Sequence, residues 1–423
     1  MTRHPIWHPF TQHGLGEPIP KVVRAEGASL WTEDGTRIVD AISSWWVTTH
    51  GHCHPKIAAA IAHQATRLDQ LIFAGWTHEP AETLAAGLIE MVGDALQAPD
   101  ALPHVFFSDS GSTAVEVALK MALGFWANRG IARHRVIVME HSYHGDTIGA
   151  MSVGERGVYN AAYSPLLFDV GRVPWPAPGA EQATLDALRT ECARPDAAAF
   201  IVEPLVLGAG GMLFYPPAVL AEMRAICAEA GVLFIADEVM TGWGRTGTFL
   251  AMEQAGVAPD ILCLAKGITG GAIPLAVTLA SAPVFNAHCA PDRAKTFYHS
   301  SSYTANPIAC AAAVANLAIW REEPVRGRIA ALSAAQAKAA AWLAGVPGVA
   351  AVRTCGTLLA LDYAVPEGGY LSALQPRLLA FFRERGLLIR PLGHTAYLMP
   401  PYCITPEDLA RCHQALADAA GLA

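Results

Sequence analysis

The chain has 423 residues, 52% of them hydrophobic and 16% charged, and a formal net charge of −8. That is enough apolar sequence for a large core divided between two domains, and an acidic balance without a basic block excludes nucleic acid as a natural partner. No apolar run approaches membrane-spanning length and the opening MTRHPIWHPF has no signal-peptide core, so a cytoplasmic enzyme with no membrane partner is expected.

Residues 22–46 alternate apolar and polar positions on either side of an Asp34-Gly35 step, which predicts a small antiparallel hairpin. The adjacent tryptophans Trp45 and Trp46 follow it. On an extended strand such neighbours point to opposite faces, so at least one must cover a different wall, and a substrate-pocket wall is preferred here over core packing. The histidines of HGHCHP (50–55) match no zinc spacing, and the nine scattered cysteines contain no C-x-x-C pair, so reduced thiols and no metal are expected.

Apolar residues recur at helical spacing over 56–71 and 79–92. FFSDSGSTAVEVALKMAL (106–123) reads as a strand, a tight turn and a helix, placing Gly111 and Ser112 at a helix N-terminus where free amides and the helix dipole favour a phosphate. A capping box of Ser112 or Thr113 with Glu116 would explain part of that pattern without any ligand. Further apolar runs end in polar groups: 135–140 before Tyr143 and His144, 198–202 before Glu203, 233–236 before Asp237 and Glu238, and 261–265 before Lys266. Strands alternating with helices over 106–279 predict an α/β fold with a doubly wound, mostly parallel sheet, which binds ligands at the carboxyl ends of its strands.

A lysine at the end of an apolar strand is costly to bury as a cation, so its pKa falls and its amine becomes nucleophilic, as a Schiff-base lysine requires. An aspartate from a nearby strand is the partner a pyridinium nitrogen needs. Lys266 and Asp237 together point to pyridoxal phosphate. Singly, such residues are more often a lysine reaching solvent and a capping carboxylate. Beyond them, a Ser-rich loop (299–306) enters a helix at Pro307 with Asn306 as its cap, and Ala-rich helices span 307–320 and 329–343. The remainder reads as an α+β unit with strands near 349–353 and 358–363 and a helix over 376–385. There Arg390 ends a short strand, and its guanidinium fork suits a carboxylate, with a surface ion pair as the alternative.

SSWW with HGHCHP, DSGSTAVEVALKMAL, YHGDT, VEPLVLGAGGM, ADEVMTGWGRTG, PDILCLAKGITGG and IRPLGHTAYLMPPY, in that order, resemble the class III, fold-type I pyridoxal phosphate aminotransferases over nearly the whole chain. The resemblance implies a large cofactor-binding domain over 51–313 and a smaller α+β domain built from both termini, 1–50 and 314–423. It makes Lys266 the Schiff-base lysine and proton carrier, and Asp237 the partner of the pyridine nitrogen. Val239 then packs near the ring, Tyr143 stacks on it, and Gly111 and Ser112 hold the phosphate. Ser302 reaches that phosphate from a neighbouring subunit, which implies a homodimer with shared active sites. Phe10, Trp45, Trp46, Ser300, Arg390 and Arg245, the last paired with Asp146, are implied to bind substrate.

The activity implied is ping-pong amino transfer onto the keto acid 8-amino-7-oxononanoate of biotin biosynthesis, with S-adenosylmethionine as donor. Relatives that use 2-oxoglutarate carry a glutamate after the EP step that masks the pocket arginine; LGAGG (207–211) has none. Two departures bear on the donor: Phe10 stands where the family usually has tyrosine, and SSSY (300–303) replaces its usual Gly-Pro-Thr. Lysine is the alternative donor. The competing readings are another class III transaminase of ω-amines, an aminomutase of the same fold, and a non-catalytic cofactor-binding protein.

Overall fold

The computed structural model describes residues 5–366 and 368–423. Its centre is a seven-stranded sheet of β1 (His104–Ser108), β2 (Arg135–Met139), β3 (Gly171–Val173), β4 (Ala197–Val202), β5 (Leu233–Asp237), β6 (Ile261–Leu264) and β7 (Ala276–Ala280). The strand order is β1-β7-β6-β5-β4-β2-β3. β7 runs antiparallel to both its neighbours, and the remaining pairs are parallel. The middle strands are apolar throughout because both faces are covered. In β5, Phe234 and Ala236 enter one hydrophobic cluster while Leu233 and Ile235 enter another. The second cluster includes the buried face of the helix Gly111–Asn128, so the helix that follows β1 is clamped against the sheet from its first turn.

The predicted hairpin forms between Ser29–Thr32 and Arg37–Asp40, with Gly35 at φ 85° in its turn and the Gly35 N–H donating to the Thr32 carbonyl. Val22–Glu26 adds a third antiparallel strand, and Leu387–Leu388 joins in parallel on the far side of Arg37–Asp40. The two ends of the chain therefore share one sheet. Next to it, Val349–Cys355, Leu358–Tyr363 and Thr395–Leu398 form a three-stranded antiparallel sheet.

The tryptophan pair departs from the expected extended strand. Ser43, Ser44 and Trp46 have φ of 54°, 57° and 66°, a tight irregular turn rather than a strand. The two rings still part company, Trp45 being 46% exposed and Trp46 buried, because the turn and not a pleat separates them. Among the described residues, no helix is long and apolar enough to cross a membrane.

Candidate active site

The carboxyl ends of β2, β4, β5 and β6 border one cavity of about 440 Å³, whose lining includes Lys266, Asp237, Tyr143, Ser112, Trp46 and Arg390. Lys266 stands two residues past the end of β6 at φ 48°, a conformation that turns the chain sharply out of the sheet. Gly271, at φ 91°, lets this turn approach the tryptophan turn; a Cβ there would lie 2.6 Å from the Val47 carbonyl. The Lys266 ammonium sits 4.7 Å from the centre of the Trp46 ring. Burial lowers the lysine from its ordinary 10.5 to about 8, opposed by the charges of Asp237 and Glu203 and reinforced by that of Arg245.

Asp237 is held by two contacts that leave little freedom to its carboxylate. Oδ1 accepts the Val239 N–H at 3.1 Å, and Oδ2 lies 2.7 Å from His144 Nδ1. His144 is fully buried, and its Nε2 has no hydrogen-bond partner. Beside it, Glu203 accepts the N–H groups of Tyr143 at 2.9 Å and Gly208 at 3.0 Å, while burial pushes its carboxyl up to about 7. Glu238, one residue on from Asp237, accepts from the Thr241 hydroxyl and from the Ala251 and Met252 amides at 2.7–2.9 Å. Neighbouring carboxylates at one strand end thus serve different ends, one bordering the cavity and one fastening a loop.

At the start of the helix Gly111–Asn128, the capping box forms between Ser110 and Thr113, not with Glu116 as the sequence pattern allowed. Glu116 instead accepts from the Thr147 hydroxyl at 2.7 Å and the Gly149 amide at 2.8 Å, pinning the loop after Tyr143. The first-turn amides of Gly111 and Ser112 have no intrahelical acceptor and border the cavity. A Cβ on Gly111 would meet Val239 Cγ1 at 2.6 Å, and one on Gly145 would meet Ser112 Oγ at 2.1 Å, so the cup closes only around glycine at both positions. An amine of lowered pKa, a buried carboxylate and an anion-binding helix end around one cavity are the groups that pyridoxal phosphate requires.

The outer part of the cavity is aromatic. Trp46 Nε1 donates to the Tyr397 hydroxyl at 2.9 Å. The Arg390 guanidinium lies 6.0 Å from the Phe10 ring and 5.4 Å from the Trp45 ring, and Nη2 donates to the Phe10 carbonyl at 3.2 Å. Among the described residues no carboxylate pairs with it, so the surface ion pair weighed for this arginine is not formed.

Several expected residues are placed elsewhere. Arg245 is fully buried outside the cavity lining and donates to the carbonyls of Thr48 at 3.0 Å and Pro400 at 3.1 Å. The expected pairing with Asp146 is absent, because the guanidinium ties the tryptophan turn to the C-terminal part; the Asp146 amide donates to Ser112 Oγ at 3.2 Å. Ser300 and Ser302 are exposed and do not line the cavity of the single chain, and the Ser302 carbonyl accepts from the Gln70 side chain. The histidines of 50–54 disperse to separate partners, His50 to Asn316, His52 to Asp40 and His54 to Glu323. Sequence reasoning missed the bond of His144 to Asp237 and the cavity residues Tyr159, Tyr370 and Tyr397. A histidine next to Tyr143 was visible as a signal; Tyr159 and Tyr370 stand in irregular loops whose spacing carries none.

The class-III aminotransferase family model matches residues 12–420. The chain is 45% identical over 99% of its length to the adenosylmethionine-8-amino-7-oxononanoate aminotransferase of Synechococcus elongatus, covering 99% of that protein. It is 37% identical to the protein of the same name from Mycobacterium leprae, over 99% of this chain and 95% of that one. Among solved structures, the adenosylmethionine-8-amino-7-oxononanoate aminotransferase of Methanocaldococcus jannaschii superposes with a TM-score of 0.93 at 31% identity, over 99% and 97% of the two chains. An amine transaminase from an uncultivated Pseudomonas species, in its PLP-bound form, gives the same TM-score at 32% identity over 99% of both. With that match spanning nearly every residue, and a lysine, an aspartate and a helix end disposed around one cavity, the chain belongs to the class-III aminotransferases, which depend on pyridoxal phosphate.

Proposed function

We propose that this chain transfers an amino group to 8-amino-7-oxononanoate, forming 7,8-diaminononanoate in biotin biosynthesis, with S-adenosylmethionine as the donor. The observation that carries the reading is one cavity that holds both the Lys266 amine, toward the sheet, and, among its aromatic walls, an Arg390 with no acidic partner among the described residues. A keto acid with a long aliphatic chain and a distal carboxylate matches such a cavity, and the relatives with the highest identity reported above are named for that substrate.

Bound here, pyridoxal phosphate supplies the electron sink that lets a proton leave the carbon bearing the amine. Lys266, neutral for a large fraction of the time near pH 8, takes that proton on Nζ and returns it to the neighbouring position. Asp237, oriented by His144 and the Val239 amide, favours a protonated ring nitrogen. Gly111 and Ser112 would hold the phosphate, Tyr143 would stack on the ring and Val239 would pack near it. Trp45 and Trp46 offer aromatic faces to a sulfonium donor, Phe10 adds to the same wall, and Arg390 takes the carboxylate of the acceptor. Arg245, from outside the cavity, fixes the tryptophan turn. The reading includes a homodimer in which Ser300 and Ser302 reach the neighbouring site, and a cytoplasmic enzyme whose nine cysteines are all free thiols.

The test is product identification. Purified enzyme loaded with pyridoxal phosphate, given S-adenosylmethionine and 8-amino-7-oxononanoate, is expected to form 7,8-diaminononanoate by mass spectrometry. Turnover of simple ω-amines without turnover of this keto acid would overturn the reading.

A further inference from the structure

Two tyrosines of the cavity take no part in the roles above. Tyr159 comes from the loop after the short helix Ile148–Ser152, and Tyr370 from the segment after the strand Leu358–Tyr363; both line the same cavity as Arg390. Their rings lie 4.5 Å apart at 59°, and Tyr159 also meets Phe10 edge-on at 6.2 Å. Phe10 in turn lies 5.5 Å from Trp45, so four rings from four separate segments run along the wall on which the guanidinium rests. Phe10 has no hydroxyl. The side-chain polar atoms this wall can offer a ligand are therefore the two phenols, the Trp45 indole N–H and the guanidinium, and of these only the phenols and the guanidinium are oxygen-bound or charged donors. The Tyr159 hydroxyl is close enough to Arg390 to feel its positive charge. A guanidinium without an acidic partner among the described residues, beside a pair of phenolic donors inside an apolar wall, has the chemistry of an anion seat: the cation neutralises one carboxylate, and the phenols fill lone-pair directions that the fork leaves open.

We propose that Tyr159 and Tyr370 complete, with Arg390, a three-donor seat for the carboxylate of the acceptor and thereby set the preference for an acid-terminated chain. The inference rests on the proposed keto-acid acceptor. It makes the two tyrosines specificity residues and predicts that their hydroxyls count only when the acceptor carries a charge at its far end.

The experiment compares 8-amino-7-oxononanoate with its methyl ester as acceptors for the holoenzyme, Tyr159→Phe, Tyr370→Phe and the double variant, reading kcat and KM separately. Each single variant is expected to raise KM for the acid about tenfold, the size of a lost hydrogen bond to a charged group, while the ester changes less than twofold. The double variant should bring acid and ester close together. Equal losses for acid and ester, or no loss for either, would overturn the seat and leave the rings as packing. Should the unmodified enzyme itself treat acid and ester alike, the proposed acceptor fails as well as the seat.

Discussion

Lys266 has a free amine only because burial overcomes the pull of two nearby carboxylates. An amine is nucleophilic when unprotonated, so lowering its value from the ordinary 10.5 to about 8 brings the onset of reactivity toward neutral pH. The rate at which apoenzyme captures pyridoxal phosphate should rise from pH 6.5 to 8.5 with a midpoint near 8 and level off above it. A stopped-flow pH series showing a midpoint near 10.5 would mean that the site does not desolvate the lysine. At this scale much was legible. A lone lysine closing an apolar run, and an aspartate closing its neighbour, announce themselves by their cost of burial. The bond from His144 to Asp237 was not legible, because the two residues stand 93 apart in sequence and meet only where β2 and β5 end on the same edge of the sheet. Arg245 was misplaced for a related reason: its targets are backbone carbonyls, which leave no trace in side-chain patterns.

The end of β5 shows how one element divides its labour. Asp237 borders the cavity while Glu238 turns away and accepts three hydrogen bonds, fastening Thr241, Ala251 and Met252 to the strand end. Burial pushes Glu238 up to about 7, against donors that favour its ionised form. Glu238→Gln would present an amide nitrogen to a backbone N–H and leave one of these donors unsatisfied. A loss of about 1–3 kcal/mol in unfolding free energy is expected, read by denaturant melts with the cofactor bound; unchanged stability would show that the loop is held by packing alone. Strands and helices of the sheet were legible because apolar runs and 3.6-residue periodicity persist across them. The tryptophan turn was not, since its positive φ values fall on serine and tryptophan, residues that do not advertise such a backbone. The helix cap also shifted to Ser110 and Thr113, because Glu116 found better donors in the loop beyond β2.

Across the whole molecule, the shared sheet of Arg37–Asp40 and Leu387–Leu388 brings the chain ends together, and Arg390, just beyond it, lines the same cavity as Lys266. The mostly parallel character of the large sheet followed from the alternation of strands and helices; the antiparallel β7 did not, because an apolar run looks the same in either direction. Ser300 and Ser302, exposed and outside the single-chain cavity, belong to an active site only if a second copy presents them. Co-expressing Lys266→Ala with Ser302→Asp tests this, since each variant alone lacks two working sites and a hybrid dimer regains one. With random assortment, activity is expected to recover to about one quarter of wild type, and recovery no greater than the sum of the single variants would exclude shared sites. The most direct measurement is the pair of half-reactions followed by the visible absorbance of the pyridoxal-loaded enzyme. S-adenosylmethionine alone should remove that absorbance, and 8-amino-7-oxononanoate added afterwards should restore it. Restoration after lysine instead would change the donor and keep the acceptor, whereas absorbance that no donor removes, or that this keto acid fails to restore, would contradict the amino transfer assigned to this cavity.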